Sequence, residues 1–274
     1  MLLTQHQSGR ETRWAVDGRF LPRPLSLSTL LGLPKATMLE LLQKLIDQIS
    51  TEHADGPLLA PLDEQHEVWA SGVTYLRSQQ ARQAESEVGD VYTKVYTATR
   101  PELFFKAIGW RVIGPNLPIR VRRDSKWNVP EPELVLVVNR EGEIVGYTAG
   151  NDVSSRSIEG ENPLYLPQAK VYNGSCALGP GIVLTEPDTL RDLAVRLTIT
   201  RQDAKLFDDS ISTSQIKRPL EELVTYLQKE LDFPYGGFLM TGTGIVPPDN
   251  FNLQPEDTVQ ISIGELTLIN PVGV

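Results

Sequence analysis

Three carboxylates stand where a hard cation could be held. The segment from Pro130 to Gly150 reads PEPELVLVVNREGEIVGYTAG, two β-rich runs flanking Arg140-Glu141-Gly142-Glu143. A two-residue turn centred on Glu141-Gly142 predicts a hairpin that pairs positions whose numbers sum to about 283. In that register Glu131 faces Asp152, and Glu133 shares a strand face with Glu131 because side chains repeat every two residues. Like charges set opposite one another weaken the pairing. A divalent cation removes the conflict, since Mg²⁺, Mn²⁺ and Ca²⁺ all favour oxygen ligands; three carboxylates completed by water or substrate suit Mg²⁺. The plainer alternative is a solvated strand end, and a slip of one residue would turn Asp152 to the wrong face.

Other chemistry-bearing residues are sparse. Cys176 is alone, which excludes an intrachain disulfide and a thiolate zinc cluster. His6, His53 and His66 are scattered and show no metal-ligand spacing. Thr241-Gly242-Thr243-Gly244 can present backbone N–H groups and a hydroxyl to an anion. It does not fit G-x-x-x-x-G-K-S/T, and its alternative is a simple tight turn.

The elements that must position these groups follow from pattern. Short β-rich runs recur at Arg111–Ile113, Leu134–Val138, Ile144–Thr148, Gly181–Leu184, Val195–Thr200, Val259–Ile263 and Leu266–Ile269, which predicts a mainly antiparallel sheet. Met38, Leu41, Leu42, Leu45 and Ile49 fall at helical spacing, predicting one amphipathic helix from about Lys35 to Ser50. A second helix opens at Pro219 with an apolar stripe of Leu220, Leu223, Val224, Leu227 and Leu231. The breaker-rich HADGPLLAPLD (His53–Asp63) is the best linker candidate, alternatively a loop within one domain. It sets off a small N-terminal α/β segment, residues 1–66, from a larger β-rich domain, residues 67–274, which the resemblance given below makes the catalytic one.

Composition bounds the function. The chain has 274 residues, 26 Lys+Arg against 35 Asp+Glu and formal charge −9, with pI near 5.0. No basic run is present to meet a phosphate backbone, which argues against a nucleic-acid partner. No stretch approaches the roughly 18 apolar residues needed to cross a bilayer, and the start MLLTQHQSGRETRW lacks a signal-peptide pattern. A cytoplasmic protein with no membrane partner is expected.

Glu131-x-Glu133, GYTAGNDVSSR (Gly146–Arg156), Lys170 and TGTG (Thr241–Gly244) occur in an order that resembles the fumarylacetoacetate hydrolase superfamily, over roughly Trp69 to Val274. The resemblance implies an α+β, mainly β fold, a mixed β-sandwich roll, forming a homodimer or higher homo-oligomer that binds small 2-oxo acids through a metal. It makes Glu131, Glu133 and Asp152 the ligands of Mg²⁺ (or Mn²⁺ or Ca²⁺) and Lys170 a catalytic lysine.

Within that superfamily, carbon–carbon hydrolases commonly carry G-x-x-Y-x-x-H, whose His helps activate water. Here the segment is GVTYLRS: Gly72 and Tyr75 match, but Ser78 stands in place of His. A serine is no neutral-pH base on its own. RPELFFKA (Arg100–Ala107) and IEGENPLYLPQAKVY (Ile158–Tyr172) are instead similar to the 2-keto-3-deoxy sugar-acid dehydratases. That implies conversion of a 2-keto-3-deoxypentonate to 2-oxoglutarate semialdehyde through a metal-stabilised enolate, with a base removing the C3 proton and an acid assisting departure of the C4 hydroxyl. Lys170 leads for proton transfer, followed by Glu102 and Glu159; Arg77, Lys106 and Thr243 are candidates for binding substrate. The alternatives are an acylpyruvate hydrolase or 2-oxo-acid decarboxylase on the same metal site, and, from another class, a non-catalytic dimer that binds metal and 2-oxo acid.

Overall fold

Five successive apolar residues, Leu134–Val138, cannot alternate between core and water. In the computed structural model, which describes residues 1–48, 51–85 and 90–273, this run is buried on both faces. The first strands are β1 (Leu2–Ser8), β2 (Glu11–Val16), β3 (Arg19–Phe20), β4 (Glu67–Gly72) and β5 (Glu102–Ile108). The middle of the chain adds β6 (Asn128–Val129), β7 (Pro132–Val138), β8 (Ile144–Asp152), β9 (Ser154–Ser155) and β10 (Cys176–Leu184). The rest are β11 (Ala194–Arg201), β12 (Ala204–Ser212), β13 (Gly237–Met240), β14 (Asp257–Ile263) and β15 (Leu266–Pro271). Helices are α1 (Leu27–Leu31), α2 (Lys35–Gln48), α3 (Leu76–Glu85), α4 (Asp90–Thr97), α5 (Arg156–Glu161), α6 (Leu166–Lys170) and α7 (Leu220–Leu227).

A nine-stranded sheet runs β3-β2-β1-β10-β8-β7-β13-β4-β5, and a four-stranded sheet runs β12-β11-β14-β15. Among the described strand pairs only β13 with β4 is parallel. Leu134, Leu136, Tyr147 and Ala149 on one face of the large sheet pack with Val195, Leu197, Val259, Ile261 and Leu268 of the small one. The opposite face, with Val135, Val137, Val145, Phe238 and Met240, is covered by Leu27, Leu30, Met38, Leu42 and Leu45 of α1 and α2. The expected mainly β, α+β sandwich is the observed architecture, and burial of the central strands on both faces explains their unbroken apolar runs.

Several local expectations need correction. Arg111–Ile113 is no strand: Gly109–Arg111 forms a 3₁₀ turn, and Ile113 makes only an isolated bridge to Ala177. Leu231 does not join the α7 stripe, because the helix ends with Gln228 as its C-cap and leaves Leu231 exposed. Helix α2 starts at Lys35 as expected and is described to Gln48; Ile49 and Ser50 lie outside the described residues. Residues 1–66 share the large sheet through Leu2↔Val183 and Leu3↔Ile182. The HADGPLLAPLD stretch bridges back onto β1 and β3 at His6↔Leu58 and Arg19↔His53, so it lies along the sheet instead of spanning a gap. Among the described residues no helix is long and apolar enough to cross a membrane.

Candidate active site

The hairpin forms in the expected register but turns differently. Asn139 N–H donates to Glu143 O at 3.0 Å, and Gly142 has φ of +85°, the left-handed conformation that favours glycine. The loop is therefore three residues long, and a register shift at Val137/Val138 absorbs the extra residue. Toward the open end Pro132 faces Asn151 and Glu133 faces Gly150, and Asp152 N–H donates to Glu131 O at 2.9 Å. Glu131, Glu133 and Asp152 converge there, all buried, with one oxygen of each lying within 4.8 Å of the others.

Among the described residues three cations answer these carboxylates. Lys170 Nζ, carried by the last turn of α6, lies 3.0 Å from Glu131 Oε1 and 3.1 Å from Asp152 Oδ2, and donates to Ser154 Oγ at 2.5 Å. Arg156 Nη2 lies 3.2 Å from Glu131 Oε1. Lys106 Nζ lies 2.5 Å from Asp152 Oδ1, aligned as an ion pair and not as a hydrogen bond. Glu133 takes the Gly242 N–H at 2.6 Å. Burial, and then the carboxylates of Asp152 and Glu131, hold the Glu133 carboxyl well above the usual range, although Lys170 and the Gly242 N–H pull the other way.

The donor set fits a divalent ion. Glu102, Glu131, Glu133, Asp152 and Glu159 all line one cavity with Lys170, and Lys106 and Arg156 stand behind it. Among the described residues the carboxylates of Glu131, Glu133 and Asp152 are packed against one another with oxygens within 4.8 Å, a repulsion that a divalent ion relieves with the oxygen ligands it prefers.

The cavity wall also holds Ser78 and Thr243, so Lys170, Glu102, Glu159 and Thr243 are brought together with the triad. Thr243 is engaged in its own turn, its Oγ1 accepting from Ile245 N–H at 3.2 Å and donating to Ile245 O at 3.3 Å. The TGTG turn spends its Gly242 N–H on the carboxylate of Glu133 and not on a substrate anion. Glu102 lies flat against Gly72, where an added Cβ would collide with its carboxylate.

Two expected substrate binders are elsewhere. Arg77 points outward from α3 and pairs with Asp209 at 2.8 Å, half exposed and away from the cavity wall. Lys106 is fully enclosed behind Asp152, so no substrate group can reach it. Sequence reasoning passed over Ser154 and Arg156, yet both lie in GNDVSSR at two-residue steps from Asp152, the spacing that turns side chains to one side of an extended chain.

Residues 67–273 match the family described as fumarylacetoacetate (FAA) hydrolase, C-terminal. A probable 2-keto-3-deoxyxylonate dehydratase of Haloferax volcanii is 49% identical over 228 residues, 82% of this chain and 78% of the relative. The 2-dehydro-3-deoxy-D-arabinonate dehydratase of Saccharolobus solfataricus is 45% identical over 213 residues, 75% of this chain and 71% of the relative. Among solved structures, a 2-keto-3-deoxy-D-arabinonate dehydratase complexed with magnesium and 2,5-dioxopentanoate superposes with TM-score 0.83 at 34% identity, covering 99% of this chain and 98% of that one.

Proposed function

This chain belongs to the fumarylacetoacetate hydrolase family, and from that premise we propose that it is a Mg²⁺-dependent dehydratase converting a 2-keto-3-deoxypentonate to 2-oxoglutarate semialdehyde. The observation that carries the reading is the buried Glu131/Glu133/Asp152 group with Lys170 in contact, in a chain 45–49% identical to two such dehydratases. The 2,5-dioxopentanoate bound by the solved relative is the same compound as the product proposed here.

Glu131, Glu133 and Asp152 would hold the ion. When bound, it supplies Lewis-acid stabilisation of the negative charge that develops on the 2-oxo acid as the C3 proton leaves. Lys170 Nζ is held on the cavity wall by contacts to oxygens of Glu131, Asp152 and Ser154. It is therefore placed as the acid that protonates the departing C4 hydroxyl, which leaves as water. Glu102 and Glu159 are the carboxylates on the cavity wall able to receive the C3 proton. Removal of H from C3 and OH from C4, lost together as water, gives the C3=C4 enone that still carries the C5 hydroxyl. Loss of a proton from C5 and gain of one at C3 then makes the C4=C5 enol, which tautomerises to the C5 aldehyde of the product. Phe104, with its ring 5.7 Å from Lys170 Nζ, and Leu166 keep the wall beside the lysine apolar.

Residues 67–274 form the catalytic part, and the active protein is a cytoplasmic homodimer or higher homo-oligomer. Ser78, on the cavity wall where a hydrolase of this family would place histidine, argues against acylpyruvate cleavage. The test is incubation with Mg²⁺ and a panel of 2-keto-3-deoxy sugar acids and acylpyruvates, with products identified by mass. Loss of water from the sugar acid supports the proposal; addition of water with cleavage of the acylpyruvate, or no turnover of any sugar acid, overturns it.

A further inference from the structure

Strand β5 does not pair evenly with β4. The register runs Glu102↔Gly72, Leu103↔Ser71, Phe104↔Ala70 and Phe105↔Trp69, then resumes at Ala107↔Val68. Lys106 is the extra residue, set in a bulge of the kind that re-aims side chains beside active sites. Ala107 thereby keeps its place in the core beside Val68 and Ala70, while Lys106 is free to reach the site.

Glu102, Phe104 and Lys106 follow at two-residue steps. Glu102 lines the cavity, Phe104 faces the Lys170 ammonium, and Lys106 runs behind Asp152. Its Nζ meets Asp152 Oδ1 at 2.5 Å, donates to Lys170 O at 2.5 Å and reaches Val153 O at 3.3 Å. A wholly enclosed ammonium is expensive, and an apolar side chain of similar volume often serves a fold as well or better. This lysine joins, at one atom, the far oxygen of a proposed metal ligand and the backbone that carries the proposed proton donor.

We propose that Lys106 is a positioning residue for the reaction: it clamps Asp152 by Oδ1, leaving Oδ2 turned to Lys170, and fixes the Lys170 backbone to the same point. The inference rests on the metal assignment made above. Two roles predict opposite results on removing the lysine. If Lys106 only offsets charge, its loss leaves the carboxylates more negative and tightens cation binding. If it positions Asp152, its loss loosens a ligand and weakens binding, as removal of an outer partner of a metal ligand does by roughly 10–100-fold.

The experiment titrates Mg²⁺ and Mn²⁺ into the metal-free full chain by calorimetry for wild type and Lys106→Met, with circular dichroism to verify folding. The expected result is weakening of both ions by about 10–100-fold. At saturating Mg²⁺, kcat for the 2-keto-3-deoxypentonate should fall at least about tenfold while KM stays within about twofold, because the proton donor shifts more than the bound ground state. Unchanged or tighter metal binding in a folded variant overturns the proposal. Should Lys106→Met not fold, Lys106→Gln, which keeps N–H donors for the two carbonyls without the charge, is read in the same way; failure of both to fold makes Lys106 a determinant of the fold and overturns the proposal. Wild type that binds no divalent ion removes the metal assignment and this inference together, whereas wild type that binds and a variant that binds equally well removes this inference alone.

Discussion

Replacing Glu133 by Gln should reverse which protein is the more stable, depending on metal. Glu133 is fully buried and has two carboxylate neighbours with oxygens within 4.8 Å. Two unit charges at that separation repel by about 3–4 kcal/mol at an effective permittivity of about 20. Lys170 offsets part of this, and the raised affinity of Glu133 for a proton relieves more, so the net gain on substitution is about 1–2 kcal/mol. The Gln oxygen can still accept the Gly242 N–H, and its NH₂ gives the neighbouring carboxylates a donor. Metal-free Glu133→Gln should therefore melt on the order of 2–8 °C above wild type. With Mg²⁺ at about 100 times the wild-type Kd, wild type gains about 2.7 kcal/mol. A variant whose Kd has risen on the order of 10²-fold gains only about 0.4 kcal/mol, so wild type becomes the more stable. Differential scanning calorimetry with EDTA and with Mg²⁺ reads both effects. A variant less stable than wild type without metal, or stabilised by Mg²⁺ as much as wild type, would refute the reasoning.

Lys170→Met should retain Mg²⁺ and substrate binding but lose roughly 10²–10⁴-fold in kcat, the usual worth of a positioned acid or base; near-normal kcat would leave the proton transfers to Glu102 and Glu159. Gly72→Ala puts a methyl group where the Glu102 carboxylate lies, so its kcat should fall about as far as that of Glu102→Gln with little change in melting temperature, and full activity would show that Glu102 does not act from that position. His66 accepts the Asp63 N–H and donates to Tyr235 O, both at 2.9 Å, and burial lowers its proton affinity. The unfolded chain then takes up the proton first, so the stability His66 contributes is present above about pH 6.5 and is lost as pH falls below it, by up to about 1.4 kcal/mol per pH unit. Denaturant melts between pH 7.5 and 5.5 should show that slope in wild type and less of it in His66→Gln; equal slopes would exclude His66 as its source.

What could be read from sequence was what depends on period and order. The unbroken apolar run of β7, the alternation of apolar and polar residues in β11 and β14 and the stripes of α2 and α7 are local patterns, and each of those elements is present. The triad was legible because both strands of its hairpin are contiguous in sequence, so a register could be counted from the turn. Strands β4 and β13 escaped notice: each is short, and their parallel pairing joins residues some 170 positions apart, which no turn signal announces. Arg77 and Lys106 were assigned by residue type alone, and type does not say where a long side chain ends. Arg77 finds Asp209 on β12, whereas Lys106 is drawn inward by a bulge that only the pairing with β4 reveals.

Two register shifts therefore build this site, and each leaves its strand's core face intact. The shift at Val137/Val138 lets a three-residue loop close the β7–β8 hairpin while Glu133 still opposes Gly150, so the triad survives a turn one residue longer than the tight one. The shift at Lys106 returns Ala107 to Val68 while sending an ammonium behind Asp152. Side chains alternate strictly along a strand, so without a compensating shift an extra residue would exchange core and site positions beyond it. The site's charge makes such an exchange costly: a carboxylate turned into the apolar core is taken from water and from the cations that face it here. The electrostatic pairing that prepares the site for a divalent ion thus also selects the register in which the large sheet assembles.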